Sequence, residues 1–439
     1  MVTLAELHVS SLGECTIDSP LSRYVAERTT NEYYVGEHDR VLFDDTLELI
    51  EARGLPLDQL PTFEAGGPRQ RIFFDPATTR VGVVTCGGLC PGINDVIRAI
   101  VLELHAHYGV HDVLGFQYGY EGLVPQLGHE PVRLTPEYVS TINAQGGTVL
   151  GSSRGAQDPV VIVDRLVELG IDVLFVIGGD GSMRGAHRLT TEIARRGERI
   201  AVVGVPKTID NDIPHIGQSF GFQTAFAKAA ESIKAAYVEA QAAVNGISLV
   251  KVMGRSAGFI ACYAALANHD ADFVLIPEVP FTLEGDHGLL ALLERRVAEH
   301  GSAVVVLAEG AGQDIIPSDG HTDASGNPVL GDIAAHLRER ITDHFAERAV
   351  PITLRYVSPG YTIRSVPADA ADSVYCARLA QTAVHAAMAG RTDLVVGRRR
   401  HRFVHVPIPI LNRGPHGVAP DGDLWLSVLE STAQPFEMR

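Results

Sequence analysis

Lysine is nearly missing from this chain. Lys207, Lys228, Lys234 and Lys251 are the only four among 439 residues, against 32 arginines. Cysteine is scarce as well, with five in all, Cys15, Cys86, Cys90, Cys262 and Cys376. That count is too low for a disulfide scaffold, and none of them falls in Cys-x-x-Cys or Cys/His spacing, which argues against a structural zinc site. Long apolar runs are also lacking. Val173 to Ile177 and Ala303 to Ala308 are among the longest, far short of the roughly 20 residues a membrane helix needs. Positive charge is in deficit, with 36 Lys plus Arg against 53 Asp plus Glu and a formal net charge of -17. A field of that sign is unsuited to nucleic acid or to an anionic membrane. An anionic ligand must then be held by a local cluster of cations and backbone amides. The segment 1–24 has no basic-then-apolar order of a signal peptide. The expectation is a soluble protein of the reducing cytoplasm, with no nucleic acid or membrane partner.

What is present is a globular composition, 46% hydrophobic and 20% charged, long enough for two or three compact units. Residues 1–75 are acidic and irregular, with one short helix expected over 44–52, and read as an N-terminal extension packed on the main body. From Arg80 onward the pattern is regular. Val81 to Thr85, Val173 to Ile177, Ile200 to Val205, Ser248 to Val252, Phe273 to Ile276, Ala303 to Ala308 and Ile352 to Tyr356 are β-branched, apolar runs. Between them, helical periodicity is expected over 92–107, 184–196, 222–243 and 257–268. Continuous apolar strands alternating with helices predict an α/β protein with parallel sheets covered on both faces.

Two strand-to-helix turns are rich in glycine: Thr85-Cys86-Gly87-Gly88-Leu89-Cys90-Pro91-Gly92 and Gly178-Gly179-Asp180-Gly181-Ser182. Such turns lie at the carboxyl ends of strands, where ligands bind in open α/β sheets. Glycine lets backbone N–H groups approach a phosphate, and a following helix start adds a favourable dipole. The bland alternative is that the turns are merely tight. The first lacks the dinucleotide Gly-x-Gly-x-x-Gly spacing, and neither has the P-loop spacing. Asp180 suits a hydrated Mg²⁺, or alternatively an Asx turn. A third loop, Pro206-Lys207-Thr208-Ile209-Asp210-Asn211-Asp212, follows the strand at 200–205. It combines one of the rare lysines with two carboxylates, a set suited to proton transfer and charge stabilisation.

Taken in order, residues 178–182, residues 206–212, Val252-Met253-Gly254-Arg255, Ala308-Glu309-Gly310 and Tyr361-Thr362-Ile363-Arg364 resemble the signature segments of the 6-phosphofructokinases. The likeness runs from about Val81 to about Pro409. The Thr85 to Asn94 turn and the long N-terminal extension are similar to the plant and trypanosomatid branch, which is ATP-dependent.

The resemblance implies two Rossmann-like parallel-sheet domains. Residues 76–221 with about 363–412 would bind ATP, 222–362 would bind fructose 6-phosphate, and 413–439 would be a tail. It implies phosphorylation of fructose 6-phosphate to fructose 1,6-bisphosphate, the committed step of glycolysis. It also implies a homo-oligomer, dimer or tetramer, whose sugar-phosphate sites are completed by a neighbouring subunit. Asp210 would be the base, with Lys207 and Arg255 stabilising charge. Gly88, Arg154, Gly155, Gly179, Asp180, Gly181 and Ser182 would line the nucleotide. Asp180 and Asp212 would hold Mg²⁺. Thr208, Ile209, Met253, Gly254, Glu309, Arg355, Tyr361 and Arg364 would join Asp210 and Arg255 around the sugar phosphate.

Two positions depart from the short bacterial enzymes: Tyr361 stands where they have histidine, and Gly246 where they have an arginine that reaches a neighbour. Gly181 favours ATP, because pyrophosphate-dependent members usually carry aspartate there; Lys207 pulls toward pyrophosphate. The alternatives are a pyrophosphate-dependent enzyme and a catalytically silent regulatory homologue. A related NAD or lipid kinase would lack the counterparts of Arg255, Glu309 and Arg364.

Overall fold

A computed structural model describes residues 2–24, 33–317, 320–322, 328–412 and 416–438. The chain divides into two compact units. Unit 1 comprises 1–208, 213–221 and 366–414; unit 2 comprises 209–212, 222–365 and 415–439. The chain therefore crosses between units five times, and the loop at 206–214 contributes to both.

Unit 1 is built on a nine-stranded sheet. Its order is Arg40–Leu42, Thr62–Ala65, Arg402–Pro407, Leu394–Arg399, Ala201–Pro206, Val173–Gly178, Arg80–Thr85, Asp112–Phe116 and Val132–Arg133. The five strands from Leu394–Arg399 to Asp112–Phe116 are mutually parallel, and the outer ones are antiparallel. Numbered along the chain, the parallel five run 2-1-3-4-5. In that order the switch point, where ligands bind, lies between the first and third strands, here Arg80–Thr85 and Val173–Gly178. The strands Val173–Gly178 and Ala201–Pro206 are buried at every position, as expected when helices cover both faces. Residues 33–75 are less irregular than their composition suggests. Arg40–Leu42 and Thr62–Ala65 extend this sheet beside Arg402–Pro407. The early helix forms over Leu47–Arg53, with the Thr46 hydroxyl accepting from the Leu49 amide and Gly54 in the left-handed region closing it.

The extension is fastened by a buried charge cluster. The Glu64 carboxylate accepts from Arg69 at 2.7 Å, Arg391 at 2.9 Å and His405 at 3.1 Å. Burial would raise the pKa of Glu64, but the His405 hydrogen bond and the two guanidiniums outweigh it and hold the carboxylate ionised.

Unit 2 has a four-stranded, fully parallel sheet in the order Phe273–Leu275, Ser302–Ala308, Gly246–Val252, Thr353–Val357. Side chains alternate between its faces. Val304, Val306 and Ala308 pack with helices Phe222–Gln241 and Phe259–Asn268, while Ala303, Val305 and Leu307 pack with Leu289–His300 and Ile333–Glu347. Each large aliphatic side chain so buried contributes about 1.5–3 kcal/mol. Two apolar faces explain why these strands read as unbroken hydrophobic runs. The C-terminal residues form helix Asp423–Thr432, which buries Trp425 in the first of these cores.

Candidate active site

In unit 1, three adjacent parallel strands end together, with Thr85 opposite Ile177 and Gly178 opposite Pro206. Each strand feeds one of the glycine or lysine turns. The Cys86 amide donates to the Ile177 carbonyl at 2.9 Å, and the Lys207 amide to the Gly178 carbonyl at 2.9 Å, so the ladder continues into the turns. Gly87 takes φ +85°, a conformation open to glycine at little cost. Its amide donates to Ser153 and its carbonyl accepts from the Ser152 hydroxyl at 2.6 Å. The buried Lys207 ammonium folds over this turn and donates to the Gly88 carbonyl at 2.6 Å. A Cβ on Gly88 would lie 3.6 Å from the Arg154 guanidinium. Gly88, Lys207 and Arg154 are thus one cluster: a backbone turn flanked by two cations. Burial pushes the Cys86 thiol up to about 12, so it stays protonated near neutral pH.

The second turn holds a correction. The expected helix begins at Asp180, not at 184, with Gly179 as N-cap. Glycine at 181 weakens helix propensity enough to hide the first turn in the sequence. Asp180, Gly181 and Ser182 consequently open a 17-residue helix, where a carboxylate interacts well with the dipole. Asp180 and Gly181 are exposed, while Ser182 is buried with its carbonyl accepting from Tyr120.

In unit 2, side chains gather at the strand ends. The Arg255 amide lies 3.4 Å from Asp210 Oδ2. Glu309 follows its strand directly, its amide donating to the Val252 carbonyl at 3.0 Å. Gly254 and Gly310 make this junction possible. A Cβ on Gly310 would sit 1.9 Å from the Arg255 carbonyl oxygen, and Gly254 has φ +124°. Burial raises the Glu309 pKa, against the charges of Lys251, Arg255 and Arg364. A half-desolvated carboxyl among three cations is equipped to bind hydroxyls of an anionic sugar. The Arg364 guanidinium lies 4.6 Å from the ring centre of Tyr361, which is 76% exposed. Met253 lies beside Gly360, where an added Cβ would be 3.7 Å from its sulfur. Arg355 instead pairs with Glu239 at 3.0 Å.

Within unit 1 the structure gathers Gly88, Arg154 and Lys207, and within unit 2 Asp210, Arg255 and Glu309. Several supporting residues escaped the sequence reading. Ser152 fixes Gly87. Lys251, ion-paired with Asp332 at 3.1 Å, faces Glu309; the scarcity of lysine was a usable signal for it. Gln313 bonds the Glu309 carbonyl and both backbone groups of Gly331, and a lone glutamine carries no such signal.

Among the described residues, no group of three or more His, Cys, Asp or Glu could hold a metal ion. No described helix is long and apolar enough to cross a membrane.

The family model described as Phosphofructokinase matches residues 80–387. The ATP-dependent 6-phosphofructokinase of Amycolatopsis methanolica is 55% identical over 99% of this chain and 96% of its own length. That of Trypanosoma brucei brucei is 41% identical over 98% of this chain and 88% of its own. Among solved structures, the pyrophosphate-dependent phosphofructokinase of Marinobacter aquaeolei aligns with a TM-score of 0.66 over 81% of this chain and 92% of that one. Its identity is 19%, a likeness of fold alone. The glycine turns of unit 1, the Asp210, Arg255 and Glu309 cluster of unit 2 and these relatives agree: the chain belongs to the phosphofructokinase family.

Proposed function

We propose that this protein transfers the γ-phosphoryl group of ATP to the 1-hydroxyl of fructose 6-phosphate, giving fructose 1,6-bisphosphate. The observation that carries the reading is the approach of the Asp210 carboxylate to the Arg255 amide, which puts a base and a guanidinium-bearing residue side by side. Asp210 accepts the hydroxyl proton as the oxygen attacks phosphorus. Arg255 and Lys207 balance the charge that spreads over the transferring group. Thr208 and Ile209 frame the reacting centre. The Gly88 amide, Arg154, Gly155 and the helix start at Gly179 to Ser182 receive the nucleotide phosphates. Met253, Gly254 and Glu309 hold the sugar, and Tyr361 and Arg364 take the 6-phosphate.

Mg²⁺ fits the donor set. This ion keeps most of its waters, so one or two carboxylates suffice; Asp180, at a helix start, and Asp212 are the residues that would hold it. When bound, it neutralises phosphate charge.

Relatives 41% to 55% identical are ATP-dependent, and glycine at 181 leaves room for a nucleotide. The enzyme works in the cytoplasm as a homo-oligomer, with Arg355 serving a neighbouring copy. A coupled assay of the pure protein with fructose 6-phosphate, comparing ATP and pyrophosphate side by side, tests the donor. Turnover with ATP and little with pyrophosphate is expected. The reverse ranking, or no turnover, would overturn the reading.

A further inference from the structure

Unit 2 also holds a carboxylate to which the proposed chemistry assigns no part. Glu278 follows the strand Phe273–Leu275 and is half-buried. Its Oε1 accepts from the Gly258 amide at 2.9 Å and from the Val418 amide at 2.7 Å, and its Oε2 lies 3.1 Å from the Gly258 amide. Gly258 is the N-cap of helix Phe259–Asn268, three residues after Arg255. Val418 belongs to the C-terminal segment. Two residues earlier, the His416 amide donates to the Asp212 carbonyl at 2.9 Å, two residues after Asp210. The His416 ring also packs on Phe259, centroids 5.2 Å apart. The space is tight: a Cβ on Gly417 would lie 2.9 Å from Glu278 Oε1, and one on Gly258 would lie 2.4 Å from Ile276.

We infer that Glu278 is a positioning residue, which clamps residues 416–418 so that the Asp210 loop and the Arg255 turn hold a fixed mutual placement. One carboxylate grips the Arg255 turn through Gly258 and the tail through Val418, and the tail grips the Asp210 loop through His416. Glu278 acts through backbone amides and touches no substrate. A displacement of about 1 Å at reacting groups costs on the order of 10²-fold in rate, so such a clamp is read in kcat. The inference rests on Asp210 being the base.

The test uses the full-length protein. Glu278→Ala is expected to lower kcat at least about tenfold, with KM for ATP unchanged. Glu278→Gln keeps the oxygen that serves both amides and should recover most of the loss. Gly417→Ala leaves Glu278 intact, crowds its Oε1, and should lower kcat in the same sense. Hydrogen exchange at the 258, 416 and 418 amides should speed up in Glu278→Ala. That readout reports the clamp whichever group is the base, whereas wild-type turnover in Asp210→Asn would remove the base and leave the clamp standing. Wild-type kcat in folded Glu278→Ala and Gly417→Ala, unchanged exchange, or a Gln variant as impaired as Ala would overturn the inference.

Discussion

The two units present different chemistry from the same architecture. Both carry functional groups at the carboxyl ends of parallel strands. In unit 1 those ends deliver backbone: Gly87, Gly88 and the turn from Gly178 to Gly181, with Lys207 and Arg154 as flanking cations. In unit 2 they deliver side chains: Arg255, Glu309, Tyr361 and Arg364. There the glycines at 254 and 310 serve another end, letting one backbone pass close to another. A chain of phosphates offers repeated charge and little shape, which amides and helix starts meet well. A sugar phosphate offers hydroxyls in fixed directions, which need individually aimed side chains.

The sharpest way to break that contrast is Asp210→Asn, which alters the chemistry that both sides serve. The change is nearly isosteric, so the fold and both affinities should persist. Turnover should fall roughly 10²–10⁴-fold, measured as kcat at saturating substrates.

Gly181→Asp tests whether the donor side depends on open backbone. The added bulk should lower kcat/KM for ATP about 10²-fold, on the order of 3 kcal/mol. The charge matters less than the bulk, since the new Cβ would lie 3.7 Å from the Arg184 guanidinium, a cation able to offset it. Gly181→Ala should therefore reproduce much of the loss, and an unchanged kcat/KM in both variants would show that this turn does not line the nucleotide.

Arg364→Ala examines the other side. The 6-phosphate does not react, so its contacts are largely uniform binding. A charged hydrogen bond lost at the site should raise KM for fructose 6-phosphate about 10- to 100-fold and leave KM for ATP alone. An equal rise in both constants would blur the division between the units.

A separate effect concerns stability. His385 in unit 1 is buried, bonded to the Tyr108 hydroxyl at 2.8 Å. Burial, aided by the charges of His405 and His107, lowers its pKa from 6.5 to about 3. Between those values the unfolded chain binds a proton that the folded one refuses. Stability should therefore fall as pH drops from about 6.5 toward 3. Unfolding midpoints taken across that range should show the slope, and His385→Gln should flatten it.

Much of the fold was legible because the parallel strands are buried on both faces and read as unbroken β-branched runs. Unit 2 is the clearest case, with 302–308 buried throughout. The strands at 40–42 and 62–65 were not legible, since each is short and mixes apolar residues with Arg40, Thr62 and Glu64, leaving no unbroken apolar run. The start of the helix at Asp180 was hidden by glycine. At the candidate site, the residues proposed to meet a ligand carry motif spacing, so Gly88, Lys207, Asp210, Arg255 and Glu309 could be singled out. Residues that only brace them, such as Ser152, Gln313 and Glu278, act on backbone atoms from distant points of the chain. Nothing in local sequence marks that task.

The five crossings between units have a consequence for how the molecule can be cut. A single break at 212/213, 221/222 or 365/366 leaves each fragment holding parts of both units, and one at 208/209 or 414/415 frees only a piece of one unit. Proteolysis at one bond cannot release either unit whole, and a gene split at one codon cannot encode one. The residue proposed as base lies on the four-residue excursion 209–212, the shortest of these passages. A fragment spanning 222–365 would keep the whole sheet of unit 2 and still lack Asp210, so complementation between separately made halves must restore that short loop before turnover can return.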